Sequence, residues 1–387
     1  MKTIFDEHNV DEVESIIREV KNLLSQNKKD SEILDSIKSI FKKEFLSIAK
    51  AKVRSERDIY KNIGKTKYFN EDDLRFSTPT KISELRAERL KCKRIADLCS
   101  GVGIQSFAFS KTCESVLGIE IDRRKSKYAE ENFRSVKNLE FIEGDVLDKK
   151  IVQKIKEFKP EIVFCDPERL SEEKERSLDN IKPDIKKIIS VYSNLTENIC
   201  IELPPQMTRD KISELGNSEL EYISWNNKLN RLNIYLGDLV KREISVLDIS
   251  GFRLESNKDV KKAKNISKPL KFVYEISEAV VKAGLVNEIC EMLDANILIN
   301  EKNKLILTSD SLHKNNPLTK CFTVLGFLDS FEEIIKLLKK ENIGKVLLKY
   351  SVDPKDYWKE RKRYEIHLKG EKEATIFKRD KEFLLVN

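Results

Sequence analysis

The residues best suited to chemistry are four acids that follow short apolar runs: Asp97, Glu120, Asp145 and Asp166. The first opens Asp97-Leu98-Cys99-Ser100-Gly101-Val102-Gly103, a glycine-bearing turn between an apolar run and a helical pattern, where backbone N–H groups lie open to a ligand. A tight turn without a ligand would use the same glycines. The second run ends at Glu120-Ile121, nineteen residues past Gly101, where an acid can accept both hydroxyls of a ribose. The third supplies Glu143-Gly144-Asp145-Val146, whose carboxylate suits an exocyclic adenine amine. A dinucleotide site would carry a third glycine to admit the pyrophosphate, but Ser106 stands there, so a cofactor without phosphates fits better.

These acids need a scaffold that brings successive strand ends together. Candidate strands are Ile95–Cys99, Ser115–Ile121, Leu139–Ile142, Ile162–Asp166, Asn198–Leu203, Glu219–Ser224 and Leu232–Leu236. Helical patterns separate the first five: Gln105–Lys111, Arg124–Arg134, Lys150–Phe158 and Ile181–Leu195. Such alternation predicts an α/β fold with a doubly wound, mostly parallel sheet of seven strands, its ligand crevice at the carboxyl ends. Residues 11–63 carry apolar positions at helical spacing and predict two or three amphipathic helices, with a loop at Gly64–Asp73. The expected division is a helical extension over 1–65, the α/β domain over 66–254, a Lys/Asn/Ser-rich linker over 255–269 and a small α+β domain over 270–387. In that last part helices are expected near Glu275–Ala283, Val286–Leu293 and Phe331–Lys340. Its expected strands are Leu305–Thr308, Cys321–Gly326, Gly344–Ser351, Arg363–Lys369 and Glu373–Lys378.

Composition narrows the classes. The 387 residues carry a net charge of +7 with 36% charged residues, which permits a polyanionic partner without demanding one. The seven cysteines include no Cys-x-x-Cys pair, and three histidines are too few for a local zinc pattern, so no metal and a reducing cytosol are expected. No run approaches the apolar length of a membrane span, so neither membrane insertion nor secretion is expected.

The order of these residues from Arg94 to Leu236 resembles that of class I S-adenosylmethionine-dependent methyltransferases. The resemblance implies that the turn around Asp97, Cys99, Gly101 and Gly103 packs on the methionine part. It also implies that Glu120 and Ile121 hold the ribose side and that Asp145 and Val146 read the adenine. The fourth strand ends in Cys165-Asp166-Pro167-Glu168-Arg169, and in that family this strand end lies beside the transferable methyl group. Asp166 and Pro167 are therefore the implied catalytic pair, with Asp166 also against the cofactor. Amino-group methyltransferases carry Asp or Asn, Pro, Pro and an aromatic here, and Glu168 and Arg169 depart from that pattern. Arg169 has two readings, a phosphate or base contact and an ordinary ion pair with Glu172 or Glu173. Cys165, inside an apolar strand, reads as core rather than as a nucleophile.

Leu74-Arg75-Phe76-Ser77-Thr78, Arg86-Ala87-Glu88-Arg89 and Asp166-Pro167-x-Arg169 further resemble the subset of these enzymes with a C-terminal THUMP-like domain. Trimethylguanosine-type cap enzymes also resemble the Cys99–Gln105 stretch but carry the aromatic that is missing here. The THUMP-like resemblance implies an RNA substrate. Lys258–Lys271 and Lys355–Arg363 are basic runs, the second interleaved with Tyr357, Trp358 and Tyr364, so Lys362 and Arg363 are candidate RNA contacts. A flexible linker and a charged core edge would give the same runs. Methylation of a protein or small molecule, or a cofactor-binding RNA adaptor without turnover, stands beside this reading.

Overall fold

The computed structural model describes residues 2–57, 66–169, 177–301 and 304–387. It divides into two compact units, Met1–Leu220 with Leu232–Glu243, and Glu221–Arg231 with Ile244–Asn387.

The first unit opens with α1 (Val10–Ser25), α2 (Asp30–Ser36), α3 (Lys42–Arg57), α4 (Glu71–Phe76) and α5 (Thr80–Arg89). The Asn9 side chain caps α1 by accepting the Glu12 N–H, and the helical spacing puts Val13 and Ile17 on one face, packed with Phe45, Ile48 and Ala51 of α3. The helices expected over 11–63 are thus present up to Arg57. The rest of that range, and the start of the expected loop at Gly64, lie outside the described residues. The same apolar cluster takes in Tyr68, Leu74, Val102 and Tyr128, so the N-terminal helices pack behind the glycine turn. Arg124 pairs both guanidinium nitrogens with Asp73 of α4, at 2.7 and 3.0 Å.

Strand and helix then alternate: β1 (Arg94–Leu98), α6 (Ile104–Ser110), β2 (Ser115–Glu120), α7 (Arg123–Phe133), β3 (Leu139–Glu143), α8 (Lys149–Phe158) and β4 (Ile162–Cys165). Two short strands, β5 (Glu168–Arg169) and β6 (Ile181–Lys182), pair with each other, and α9 (Ile185–Tyr192), β7 (Ile199–Leu203) and α10 (Arg209–Ser213) follow. The hairpin β8 (Glu219–Trp225) and β9 (Lys228–Tyr235) completes the seven expected sheet strands, in the order β8-β9-β7-β4-β1-β2-β3. β3, β2, β1, β4 and β7 are parallel and β9 is antiparallel to β7, so the sheet is the expected doubly wound, mostly parallel α/β type.

In the second unit β10 (Ile244–Asp248) and β11 (Arg253–Glu255) form a hairpin beside β8, two strands beyond the expected seven. The remaining elements are β12 (Phe272–Ile276), α11 (Glu278–Ala283), α12 (Val286–Met292), β13 (Asn296–Glu301), β14 (Lys304–Ser309), β15 (Thr319–Leu328), α13 (Phe331–Lys340), β16 (Ile343–Lys349), α14 (Tyr357–Glu365), β17 (Lys372–Arg379) and β18 (Glu382–Val386). The strands from β12 onward build a sheet in the order β13-β14-β12-β15-β18-β17-β16. Where a strand was expected at Arg363–Lys369, the chain continues helix α14 and then turns. Tyr364 and Leu368, four apart, both enter the core, whereas Ile366 between them is 73% exposed. Residues 256–270 have no regular element, but they are tied down: Ala263 N–H donates to Asn287, Ile266 N–H donates to the Ile297 carbonyl, and Arg379 donates to the Ser267 carbonyl.

Asn132 of α7 joins the N-terminal part to the turn. Its oxygen accepts the Lys67 and Tyr68 N–H groups at 2.8 and 2.7 Å, and its amide donates to the carbonyls of Tyr68 and Val102 at 3.0 and 3.1 Å. Asn132→Ala leaves these four groups without that partner. At about 1 kcal/mol per lost bond it is expected to cost about 2 to 4 kcal/mol, read as a lower urea midpoint at unchanged slope.

Candidate active site

The carboxyl ends of β1, β2, β3 and β4 lie along one edge, with Leu98 opposite both Ile119 and Cys165, and Glu120 opposite Glu143. Leaving β1, the chain passes through three residues of positive φ: Cys99 at +82°, Gly101 at +57° and Gly103 at +89°. Ile119's carbonyl accepts the N–H groups of Cys99 and Ser100. One oxygen of Glu120 accepts the Gly101 N–H at 2.8 Å and the other the Asp122 N–H at 2.9 Å. A side chain at Gly103 would strike the rings of Phe133 and Phe141, whereas the space beside Gly101 is open. Only a residue without Cβ suits both demands at Gly103.

Asp97 is 1% exposed and accepts the Ser106 hydroxyl with one oxygen, while its other oxygen and the Ser100 hydroxyl are buried without a partner. Burial pushes the Asp97 carboxyl up to about 7, against the Ser106 bond and the Arg86 charge, which lower it. Burial also raises Glu120, against its two backbone hydrogen bonds. Ile121 is 67% exposed, Asp145 is exposed with one oxygen accepting the Leu147 N–H, and buried Val146 offers its carbonyl to the Tyr192 hydroxyl. The edge therefore brings together Asp97, Cys99, Gly101, Gly103, Glu120, Ile121, Asp145 and Val146. A hydrogen bond with Cys165, then burial, raises the Cys99 thiol, which is therefore no ready thiolate, and Cys165 is fully buried in β4.

Asp166 is half-buried and Pro167 buried at the end of β4, and the chain then runs into β5, where Glu168 is exposed and the backbone of Arg169 faces Ile181. The ion pairs considered for Arg169 with Glu172 or Glu173 lie outside the described residues. Below this point sits Arg86, 2% exposed, which donates to Gln105 at 2.7 Å and to Asn233 at 2.9 Å, pairs with Glu202, and lies 4.7 Å over the Phe164 ring. Burial works against its charge, but Glu202 first, and Asp166 among others, outweigh it and hold the guanidinium protonated. The sequence reading missed this cluster. Its trace is Glu202 inside the otherwise apolar β7, with Asn233 in the buried half of β9.

Lys362 and Arg363 belong to α14 of the second unit. Both are exposed, and Arg363 lies 3.7 Å from Glu360 and 4.7 Å over the Phe331 ring. Of the interleaved aromatics, Tyr364 is buried and Tyr357 half-buried, while Trp358 is 65% exposed.

Residues 92–239 match the family of RNA cap guanine-N2 methyltransferases. This stretch therefore carries a methyltransferase domain, and its cofactor is S-adenosylmethionine. Among solved structures, the chain is similar to a protein from Porphyromonas gingivalis W83 that bears the provisional name methyltransferase. That likeness has 17% identity, 98% of each chain covered and a TM-score of 0.76, and it extends over the second unit as well. Weaker likenesses are to a provisionally named RNA methyltransferase from Pyrococcus horikoshii (19% identity, 40% of this chain and 81% of that one, TM-score 0.29) and to human methyltransferase 10 domain containing protein (12%, 42% and 83%, TM-score 0.31). Among the described residues no helix is long and apolar enough to cross a membrane, and no group of His, Cys, Asp and Glu is placed to hold a metal.

The methyltransferase domain fits that cofactor on its own geometry. An unpartnered oxygen of Asp97 and the carboxylate of Glu120 stand at a turn whose Gly101 leaves open space, and acids in that position suit a ligand bearing an ammonium and a sulfonium. The raised Asp97 carboxyl has a consequence for the free protein. Its folded value, about 7, lies above the ordinary carboxyl value of 3.8, so the folded state binds the proton more tightly. The stability it contributes is fully present below the lower value and is lost as pH rises through the higher one. Asp97→Asn is expected to flatten this part of the pH dependence, measured as urea midpoints at pH 5 and pH 8 without cofactor.

Proposed function

We propose that this chain transfers the methyl group of S-adenosylmethionine to a nucleobase amino group in structured RNA, tRNA or rRNA, in the cytoplasm. The observation that carries the reading is the placement of Asp166 and Pro167 at the end of β4, next to the Cys99–Gly103 turn across the β1–β4 pair. The description of the matched family, guanine-N2 methylation of an RNA, supports an amino group of a base as acceptor.

In this reading Gly101 and the turn hold the methionine part, with Asp97 toward its amino group, Glu120 accepts the ribose hydroxyls, and Asp145 takes the adenine amine between Ile121 and Val146. The bound cofactor supplies an electrophilic methyl on a sulfonium, activated without help from the protein. The protein's task is then orientation and exclusion of water. The Asp166 carboxylate and the Pro167 carbonyl accept the N–H groups of the acceptor and turn its lone pair toward the methyl, and the proton released afterwards goes to solvent. The second unit, as a THUMP-like module with Lys362 and Arg363, handles the RNA, and Arg169 contacts it at the mouth of the site.

The test is transfer of tritiated methyl to total RNA beside a total-protein control. Asp166→Ala is expected to bind cofactor as the wild type does and to lose transfer by about 100-fold or more, as a misplaced acceptor does. Glu120→Ala is expected to weaken cofactor binding by about 1.5 to 3 kcal/mol, the worth of charge-assisted hydrogen bonds, seen by calorimetry. Label in protein alone, or no label with intact cofactor binding, would replace this reading with a protein methyltransferase or an adaptor.

A further inference from the structure

Helix α14 has two faces of opposite character. Tyr364 and Leu368 are buried, and Tyr357 half-buried, in a cluster with Val346, Leu348 and Ile376. The other face carries Trp358, Lys359, Lys362 and Ile366, with Lys355 just ahead of the helix, all exposed. Spacings of three and four residues align Trp358, Lys359 and Lys362 on the helix, with Ile366 at its C-cap and Lys355 in the turn before it continuing the row. The acids of the helix are engaged: Glu365 accepts Arg361 at 2.8 Å and the Val346 N–H at 3.1 Å, and Glu360 lies 3.7 Å from Arg363 and accepts the Tyr350 hydroxyl at 3.4 Å. Ahead of the helix, Asp353 accepts the backbone N–H of Lys355, and Asp356 is exposed. None of the ammonium groups of Lys355, Lys359 and Lys362 meets a carboxylate among the described residues.

Trp358 is 65% exposed yet not left to rotate freely. The Arg361 guanidinium lies 5.4 Å over its ring, and Tyr357 meets it edge-on with centroids 5.7 Å apart. A large aromatic kept in water and pre-positioned by a cation spends little entropy when a flat partner stacks on it.

We infer that this stripe docks an unpaired segment of RNA, with a base stacked on Trp358 and phosphates at Lys355, Lys359 and Lys362. Stacking needs a base free of its helix, so the partner is single-stranded rather than duplex. A lipid surface fits poorly, because an interfacial helix keeps its cations opposite its apolar residues, and here Trp358 and Ile366 alternate with lysines on the same face. This inference rests on the RNA reading above and adds which part of the RNA is held and by which residue.

The test uses the full chain and a fluorescein-labelled single-stranded U-rich RNA of about 15 nucleotides, spanning one to a few sites of ordinary size, followed by anisotropy. Trp358→Ala is expected to weaken binding by roughly 5- to 100-fold, the worth of one base–aromatic stack, with Trp358→Phe retaining most of it. Lys359→Gln with Lys362→Gln is expected to lower the slope of log affinity against log salt by about 1.4, or ~0.7 for each phosphate contact. Thermal melting should not move, because the replaced groups are exposed. Wild-type methylation and binding of RNA that Trp358→Ala leaves unchanged would overturn this inference and spare the RNA reading. Failure of the wild type both to bind and to methylate RNA would remove the two together. Binding to phosphatidylserine vesicles in place of the RNA would overturn the docking assignment alone.

Discussion

A single buried guanidinium fixes the floor of the active site. Removing an arginine from water costs several kcal/mol unless the cation is paired and its donors are used. Arg86 of α5 meets this demand with partners from separate elements: Gln105 from α6, Glu202 from β7, Asn233 from β9 and the Phe164 ring from β4. Displacing any of these elements would leave part of the charge uncompensated. Helices α5 and α6 are therefore tied to β4, β7 and β9 by an interaction that contributes nothing to the surface, while the backbone ladder between β1 and β4 sets the register of the ends that carry Asp97 and Asp166. The same cation lowers the Asp97 carboxyl against burial and is itself held charged in part by Asp166.

Above that floor, the backbone stores strain where the ligand must approach. A non-glycine residue at positive φ costs about 1 to 3 kcal/mol and persists only where its surroundings over-determine it, and Cys99 at +82° is such a residue. Its N–H and that of Ser100 share the Ile119 carbonyl, the Gly101 N–H is taken by Glu120, and Val102 is tied through Asn132 to Tyr68. The N-terminal helices complete this restraint, since Val102 belongs to the same apolar cluster as Val13 and Phe45. Their place in the fold is thus continuous with the site rather than appended to it.

The legible parts of the site were those set by chain-local rules. A glycine turn after a strand, and acids at the next two strand ends, follow from the βα repeat and can be located by counting. The Arg86 cluster was not legible, because its members are spread over about 150 positions and only pairing in space explains Glu202 and Asn233 in buried strands. Gln105, read as the start of the helical pattern after the glycine turn, proves to be one of the partners of Arg86. In the second unit, β12 was passed over except for its last two residues, Glu275 and Ile276, which fell at the start of an expected helix. Its buried Val273 and Tyr274 pair with strands on both sides, so it lacks the alternation of a half-exposed strand. β10 was passed over for a related reason, all five of its residues being buried. The reverse error occurred at Tyr364, Ile366 and Leu368, where alternation mimicked a strand in a segment that leaves α14 through a turn.

The residues after Pro167 show how a motif can change while its scaffold stays. Amino-directed relatives are expected to follow the Asp-Pro step with a ring that stacks on the acceptor. Here Glu168 and Arg169 enter β5, whose backbone is paired with Ile181 and Lys182, and Glu168 stands exposed. A strand held by its partner cannot swing a neighbouring ring inward, so any stacking partner must come from outside this segment. Among the described residues the aromatic side chains that stand largely in water are Phe76, in the first unit with Arg75 5.2 Å over its ring, and Trp358 in the second. Both are paired with an arginine, an arrangement that keeps a ring in place without burying it. The motif here lacks the aromatic, while the acid and the carbonyl at Asp166 and Pro167 stay where the end of β4 puts them.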